Sequence, residues 1–207
     1  MASSCSVAVC GATGAVGNQM IQCLEERDFP AGEIRLLASE RSRGKTLKYK
    51  GQDVPVQVLD KGSFEGIDIA LFSAGGGTSK KWAPQAWSEG AIVVDNSSAW
   101  RMDPEVPLVV PECNPGDVAG YKTKGIIANP NCSTIQMVVV LKPLHEAAGI
   151  KRVVVTTFQA VSGTGQKAIV ELENQLKAIH EGAEPEKNVY PHQIALNLFP
   201  HIGPFTD

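Results

Sequence analysis

A glycine-rich run, GATGAVG at residues 11–17, follows directly on a short β-branched segment, SVAVC at residues 6–10. No other feature of the chain restricts its fold as strongly. Glycines at this spacing let a chain leave a strand, turn tightly and enter a helix with backbone N–H groups open to an anion. Val16, Met20, Ile21 and Leu24 then recur at helical spacing, and Asp28, Phe29 and Pro30 end that helix. IRLLA at residues 34–38 reads as a second strand, followed by a polar, basic loop over residues 39–45. Strand, glycine turn, helix, strand is the opening of a doubly wound parallel sheet. The expected class is therefore α/β, with a Rossmann-type dinucleotide-binding domain.

Three more segments read as buried strands, at residues 67–72, 91–95 and 107–110. Each runs into residues that suit a ligand: Ser73 to Gly77, then Asp95 to Ser98, then Pro111 to Asn114. Such sheets gather ligands at the carboxyl ends of their strands, so the repetition is informative. Residues 126–128 lead into NPNCST and an apolar stretch with helical character, which Pro143 is expected to interrupt or restart. From Lys151 the texture changes. Residues 153–158 read as a strand and 162–165 as a turn. Residues 166–180 read as an amphipathic helix with Ile169, Leu172, Leu176 and Ile179 on one face. The expected division is residues 1–130, a dinucleotide-binding domain, and 131–207, the first part of an α+β catalytic and dimerisation domain. One strand and one helix give that second part little core, and the segment from Tyr190 onward carries three prolines and no closing element. It is expected to be incomplete at its C-terminal side.

Composition matters mainly for what it excludes. With 43% hydrophobic and 20% charged residues and a net charge of -3 over 207 residues, the chain lacks the basic surface that nucleic acid requires. No apolar run approaches a membrane span. The first ten residues hold no basic side chain, unlike a secretory or transit peptide. Five scattered cysteines without CxxC spacing suggest free thiols in a reducing cytoplasm, and no metal site is expected.

Cofactor identity depends on the end of the second strand, where an NAD site usually places a carboxylate for the ribose hydroxyls. Ser39, Arg41, Arg43 and Lys45 instead supply donors for a 2′-phosphate, which favours NADP, and Glu40 is the discordant residue. Cys132 falls at the start of a helix, where unpaired N–H groups and the positive dipole end favour a thiolate. A thiol beside a nicotinamide suggests aldehyde oxidation through a thioester. From the residues alone, a structural role for this cysteine is as good a reading as a nucleophilic one.

The motifs together resemble those of aspartate-semialdehyde dehydrogenases. GATGAVG, LASERSRGK, SAGGG, DNSSAWRMD, VVPECN, NPNCST, TFQAVSGTGQKA and PHQIALNLFPHI run in family order from end to end of the chain. The resemblance implies NADPH-dependent reduction of aspartyl phosphate to aspartate semialdehyde with release of phosphate, a step toward lysine, methionine and threonine. It implies Cys132 as the acyl-thioester nucleophile and Gln159 as a positioner of substrate and acyl intermediate. Arg101 and Asn131 match the phosphate-binding residues. Gly11, Thr13, Gly14, Ala15 and Val16 match the pyrophosphate turn, and Ser39 and Arg41 the 2′-phosphate site. Ser73, Gly75, Ser162 and Gly163 match further cofactor contacts. The implied assembly is a homodimer or homotetramer.

The family's catalytic histidine and the substrate-carboxylate arginine match no position in this chain. His145, His180, His192 and His201 are not assigned as the general base. Positioning and proton transfer each contribute orders of magnitude to such chemistry, so the 207-residue chain alone is expected to be nearly inactive. Two rival readings are an N-acetylglutamyl-phosphate reductase, which shares the thiol, the acyl phosphate and NADP, and a non-catalytic NADP-binding fragment that acts through association. A glyceraldehyde-phosphate-type dehydrogenase fits the NPNCST context less well.

Overall fold

The computed structural model describes residues 4–200. Seven strands form one sheet: β1 (Cys5–Cys10), β2 (Ala31–Ala38), β3 (Thr46–Tyr49), β4 (Gln52–Val58), β5 (Ile69–Phe72), β6 (Ile92–Asp95) and β7 (Ile126–Ala128). Their order is β3-β4-β2-β1-β5-β6-β7, and every neighbouring pair is parallel except β3 and β4. Helix α1 (Ala15–Glu26) carries the chain from β1 to β2, and α2 (Gly76–Ser88) carries it from β5 to β6. The order reverses at β1, with β2 on one side and β5 on the other. That reversal is the switch point where doubly wound sheets open a crevice.

Both faces of the sheet are covered, so its strands are apolar on both sides rather than alternating. Val7 and Val9 pack with Ile21 and Leu24 of α1, while Ala8 and Cys10 pack with Phe72, Ala83 and Ala86 on the α2 side. All nine of these side chains are buried. Burial, with the Asp95 carboxylate adding to it, pushes the Cys10 thiol up to about 12, so it stays a neutral core residue.

The sequence missed the β3–β4 hairpin. Its two-residue turn, Lys50 and Gly51, takes left-handed φ values of 48° and 77°, the geometry that matches strand twist. Residues 107–110 do not form the expected strand and add only an isolated parallel bridge, Leu108 to Ala128. The ladder stops there because the Val110 N–H donates to the Asn114 side chain at 2.8 Å and Pro111 has no N–H to offer.

Helix α3 (Cys132–Ala148) runs straight through Pro143, contrary to expectation, and ends at Gly149 in the left-handed conformation. None of its residues is buried. Residues 153–158 form no strand. Their β-branched composition favours one, but no partner ladder forms among the described residues, and Val154 and Phe158 are 78% and 77% exposed.

The chain divides into two compact units, residues 1–157 and 158–207. In the second unit, a short 3-10 turn at Val161–Thr164 precedes α4 (Gln166–His180). The buried face of α4 is not the expected apolar one, because Ala168, Glu171 and Gln175 are buried while Leu176 is exposed. The reason is polar. Glu171 accepts the backbone N–H groups of Asn188, Val189 and Tyr190, and the Gln175 side-chain oxygen accepts those of Ile194 and Ala195 at 2.9 and 3.0 Å. The following segment has no ladder of its own, so these two side chains satisfy its backbone.

Candidate active site

The carboxyl ends of the parallel strands lie in one row, and hydrogen bonds lace the loops that leave them. Gly11 N–H donates to Leu37 at 2.8 Å, Ser73 N–H to Cys10 at 2.8 Å, Asn96 N–H to Phe72 at 2.9 Å and Asn129 N–H to Asp95 at 2.8 Å. Each loop therefore starts pinned to the end of the neighbouring strand. Gly11, Thr13, Ser39, Ser73, Asn96 and Asn129 consequently share one edge of the sheet.

The glycine turn is closely packed. Gly11 has φ of 87°, and a Cβ on it would lie 2.4 Å from the Ser73 carbonyl oxygen. A Cβ on Gly17 would lie 2.1 Å from the Gly11 carbonyl oxygen. Only glycine lets the turn fold back on α1 and approach the β5 loop at these distances. Gly75 also has a left-handed φ, 83°, yet faces open space. Asn18 clips the turn, donating to the carbonyls of Ala12 and Gly14 at 3.2 and 2.8 Å. The turn thus ends at the N-terminus of α1 beside Gly14 and Ala15, as an anion cradle requires.

After β2, Ser39 is the N-cap of a short 3-10 turn (Glu40–Ser42) and Arg41 lies within it, both exposed. Ser42 is buried and its hydroxyl lies 3.0 Å from that of Thr13. This link ties the glycine turn to the basic loop, and no sequence signal singled it out. The discordant Glu40 is clasped by Arg43, at 2.5 and 2.9 Å through both carboxylate oxygens.

Cys132 is the exposed first residue of α3. Asn131 caps the helix, its side-chain oxygen accepting from the N–H groups of Ser133 and Thr134 at 3.0 and 3.4 Å. Arg101 is half-buried. Its guanidinium donates to the carbonyl oxygens of Asn129 at 2.9 Å and Asn96 at 3.1 Å. The Asn129 side chain in turn donates to that of Asn96 at 2.6 Å. Neither asparagine was assigned a role from sequence, yet both join the Arg101 loop to the Cys132 loop. Asp95, fully buried, holds the same loop by accepting from the Ser97 hydroxyl at 2.7 Å.

Arg101, Asn131, Cys132 and the glycine turn all belong to the first unit. Gln159, Ser162 and Gly163 belong to the second, where all three are exposed. His201 lies outside the described residues. Among the described residues no cluster of His, Cys, Asp or Glu could hold a metal ion, and no helix is long and apolar enough to cross a membrane.

Two family models match the chain: the semialdehyde dehydrogenase NAD binding domain over residues 6–121, and the semialdehyde dehydrogenase dimerisation domain over residues 141–207. An aspartate-semialdehyde dehydrogenase of Aquifex aeolicus is 64% identical over 203 residues, which is 97% of this chain and 60% of that protein. The crystal structure of aspartate semialdehyde dehydrogenase II complexed with ASA from Vibrio cholerae is similar with a TM-score of 0.96 and 50% identity, covering all of this chain and 61% of that one. The Candida albicans aspartate semialdehyde dehydrogenase, solved with NADP, is 30% identical with a TM-score of 0.58, over 72% of this chain and 48% of that one. The chain thus spans about 60% of the length of the curated relatives it matches. With a dinucleotide-type sheet, a glycine turn at its switch point and matches from end to end, the chain belongs to the semialdehyde dehydrogenase family and resembles aspartate-semialdehyde dehydrogenases along its whole length.

Proposed function

We propose that this chain carries the cofactor turn and the nucleophile of an NADP-dependent aspartate-semialdehyde dehydrogenase. The observation that carries the reading is the exposed Cys132 thiol at the start of α3, on the sheet edge that also bears the glycine turn and the Arg101 guanidinium. The thiolate sulfur attacks the acyl carbon of aspartyl phosphate, phosphate leaves, and a thioester on Cys132 remains. NADPH, when bound, supplies the hydride that reduces this acyl group to the aldehyde. Arg101 and Asn131 are assigned to the phosphate, whose negative charge a guanidinium suits. Gln159 is assigned to positioning the acyl group.

Gly11, Thr13, Gly14, Ala15 and Val16 are assigned to the pyrophosphate, with Ser73, Gly75, Ser162 and Gly163 as further cofactor contacts. Ser39 and Arg41 are assigned to the 2′-phosphate. The tight Gly11 approach, the open space before Gly75 and the Thr13–Ser42 link support a dinucleotide at this edge. We place the domain division between residues 130 and 131, between the edges of the two family models at 121 and 141. Five unpaired thiols support a reducing, cytoplasmic setting. A dimerisation-domain match and the exposed apolar residues of α3 support a homodimer or homotetramer. The N-acetylglutamyl-phosphate rival is not favoured, since the matched relatives are aspartate-semialdehyde dehydrogenases.

The test is phosphate-dependent reduction of NADP by aspartate semialdehyde, with this chain and with Cys132→Ala. Activity that disappears in the variant supports the dehydrogenase reading and the role of the thiol. Activity that survives the substitution sinks that role. No activity in either protein, with NADP still bound, points to a cofactor-binding unit whose catalysis needs further residues.

A further inference from the structure

A carboxylate near the end of the second strand is the usual mark of a site for unphosphorylated ribose, and Glu40 stands two residues past Ala38, the last residue of β2. Left free, it would repel a 2′-phosphate and could accept from ribose hydroxyls. It is not free: Arg43 Nε and a terminal nitrogen of the same guanidinium meet its two oxygens at 2.5 and 2.9 Å. Both side chains remain largely exposed, 65% for Glu40 and 70% for Arg43. The hydrogen bond from Arg43 also holds the Glu40 carboxyl below the usual carboxylate range, so the pair is ionised at neutral pH. Arg41 and Lys45, by contrast, form no ion pair among the described residues. The loop therefore presents two uncompensated cations, the charge a phosphate monoester requires.

We infer that Arg43 is a specificity-determining residue for the 2′-phosphorylated dinucleotide, acting through Glu40, whose carboxylate it occupies and neutralises. The inference rests on the NADP reading above. Arg43 forms a two-point fork on one carboxylate at a spacing of three residues, a geometry lysine could not reproduce. Removing the fork leaves a carboxylate close to the 2′ position with nothing to cancel it.

The experiment measures dissociation constants for NADP and NAD by titration calorimetry, at low and high salt. The proteins are the wild-type chain, Arg43→Gln, Glu40→Gln and the double variant. Circular dichroism checks that each is folded. In Arg43→Gln, the preference for NADP should fall about tenfold at low salt, and less at high salt, as expected for a screened charge. In the double variant it should return to the wild-type ratio, because the unpaired carboxylate has gone. A double variant that stays as weak as Arg43→Gln means that Arg43 acts directly on the phosphate, which overturns the inference. So does an unchanged ratio in Arg43→Gln. A wild-type chain that binds NAD as well as NADP, or binds neither, sinks the cofactor reading itself and the inference with it.

Discussion

At the scale of single residues, the site depends on places where a side chain is forbidden as much as on those where one acts. Gly17 and Gly75 are both glycines in the proposed cofactor region but for different reasons. Gly17 has ordinary helical geometry and no room, since an added Cβ would fall 2.1 Å from one backbone atom and 2.8 Å from others. Gly75 has room and an unusual φ of 83°. Gly17→Ala should therefore cost about 3 kcal/mol or more in a urea titration, because backbone has to move. Gly75→Ala should cost about 1 kcal/mol from strain alone. Equal costs would mean that the turn relaxes freely, and the tight approach of Gly17 to Gly11 would lose its significance. The Cys132 motif was legible in sequence because cap, thiol and helix are contiguous. The brace among Asn96, Asn129 and Arg101 was not, because it joins residues 33 and 28 positions apart in the chain.

At the scale of elements, hydrophobic period located α1, β1, β2, β5, β6 and β7 well, since each buries its pattern against a neighbour that the fold supplies. It misplaced the working face of α4. There the buried positions are Glu171 and Gln175, and what they hold is backbone. Burial alone would raise the Glu171 carboxyl. The N–H donors of Val189, Asn188 and Tyr190 outweigh burial and leave it lowered. A carboxyl lowered by folding stabilises the folded state above its unfolded value near 4.5, and that stabilisation is lost as pH falls through the lower folded value. Amide NMR signals of residues 188–190 should therefore shift together on acidification, with a midpoint below 4.5. In Glu171→Gln that titration should vanish, and a midpoint above 4.5 in the wild type would contradict the clamp. The β3–β4 hairpin escaped notice for another reason. Its strands are largely polar, and the turn begins with Lys50, a residue not usually associated with left-handed φ.

At the scale of the whole molecule, apolar surface is distributed unevenly. Val140 and Leu144 of α3 are 60% and 53% exposed, and Val153, Val154 and Val155 follow them in the open. Exposed apolar side chains in water favour association. Sedimentation of the chain should show concentration-dependent self-association, which Val140→Glu with Leu144→Glu should reduce. A strictly monomeric wild type would remove this support for an oligomer. The expected strand at residues 153–158 belongs to the same scale. Its composition is that of a strand, but a strand is a property of a pair, and β propensity expresses packing against neighbours rather than a preference of the isolated segment.

The sequence by itself determined the doubly wound sheet, the glycine turn and the placement of Cys132 at a helix start, because each is encoded by residues adjacent in the chain. Tertiary structure alone decided three things. It brought Ser42 to Thr13, it tied Arg101 to the loop before Cys132, and it gave α4 a polar buried face. All three join groups far apart in sequence: two hydroxyls for Ser42 and Thr13, and backbone carbonyl or N–H groups left needing a partner for Arg101 and α4.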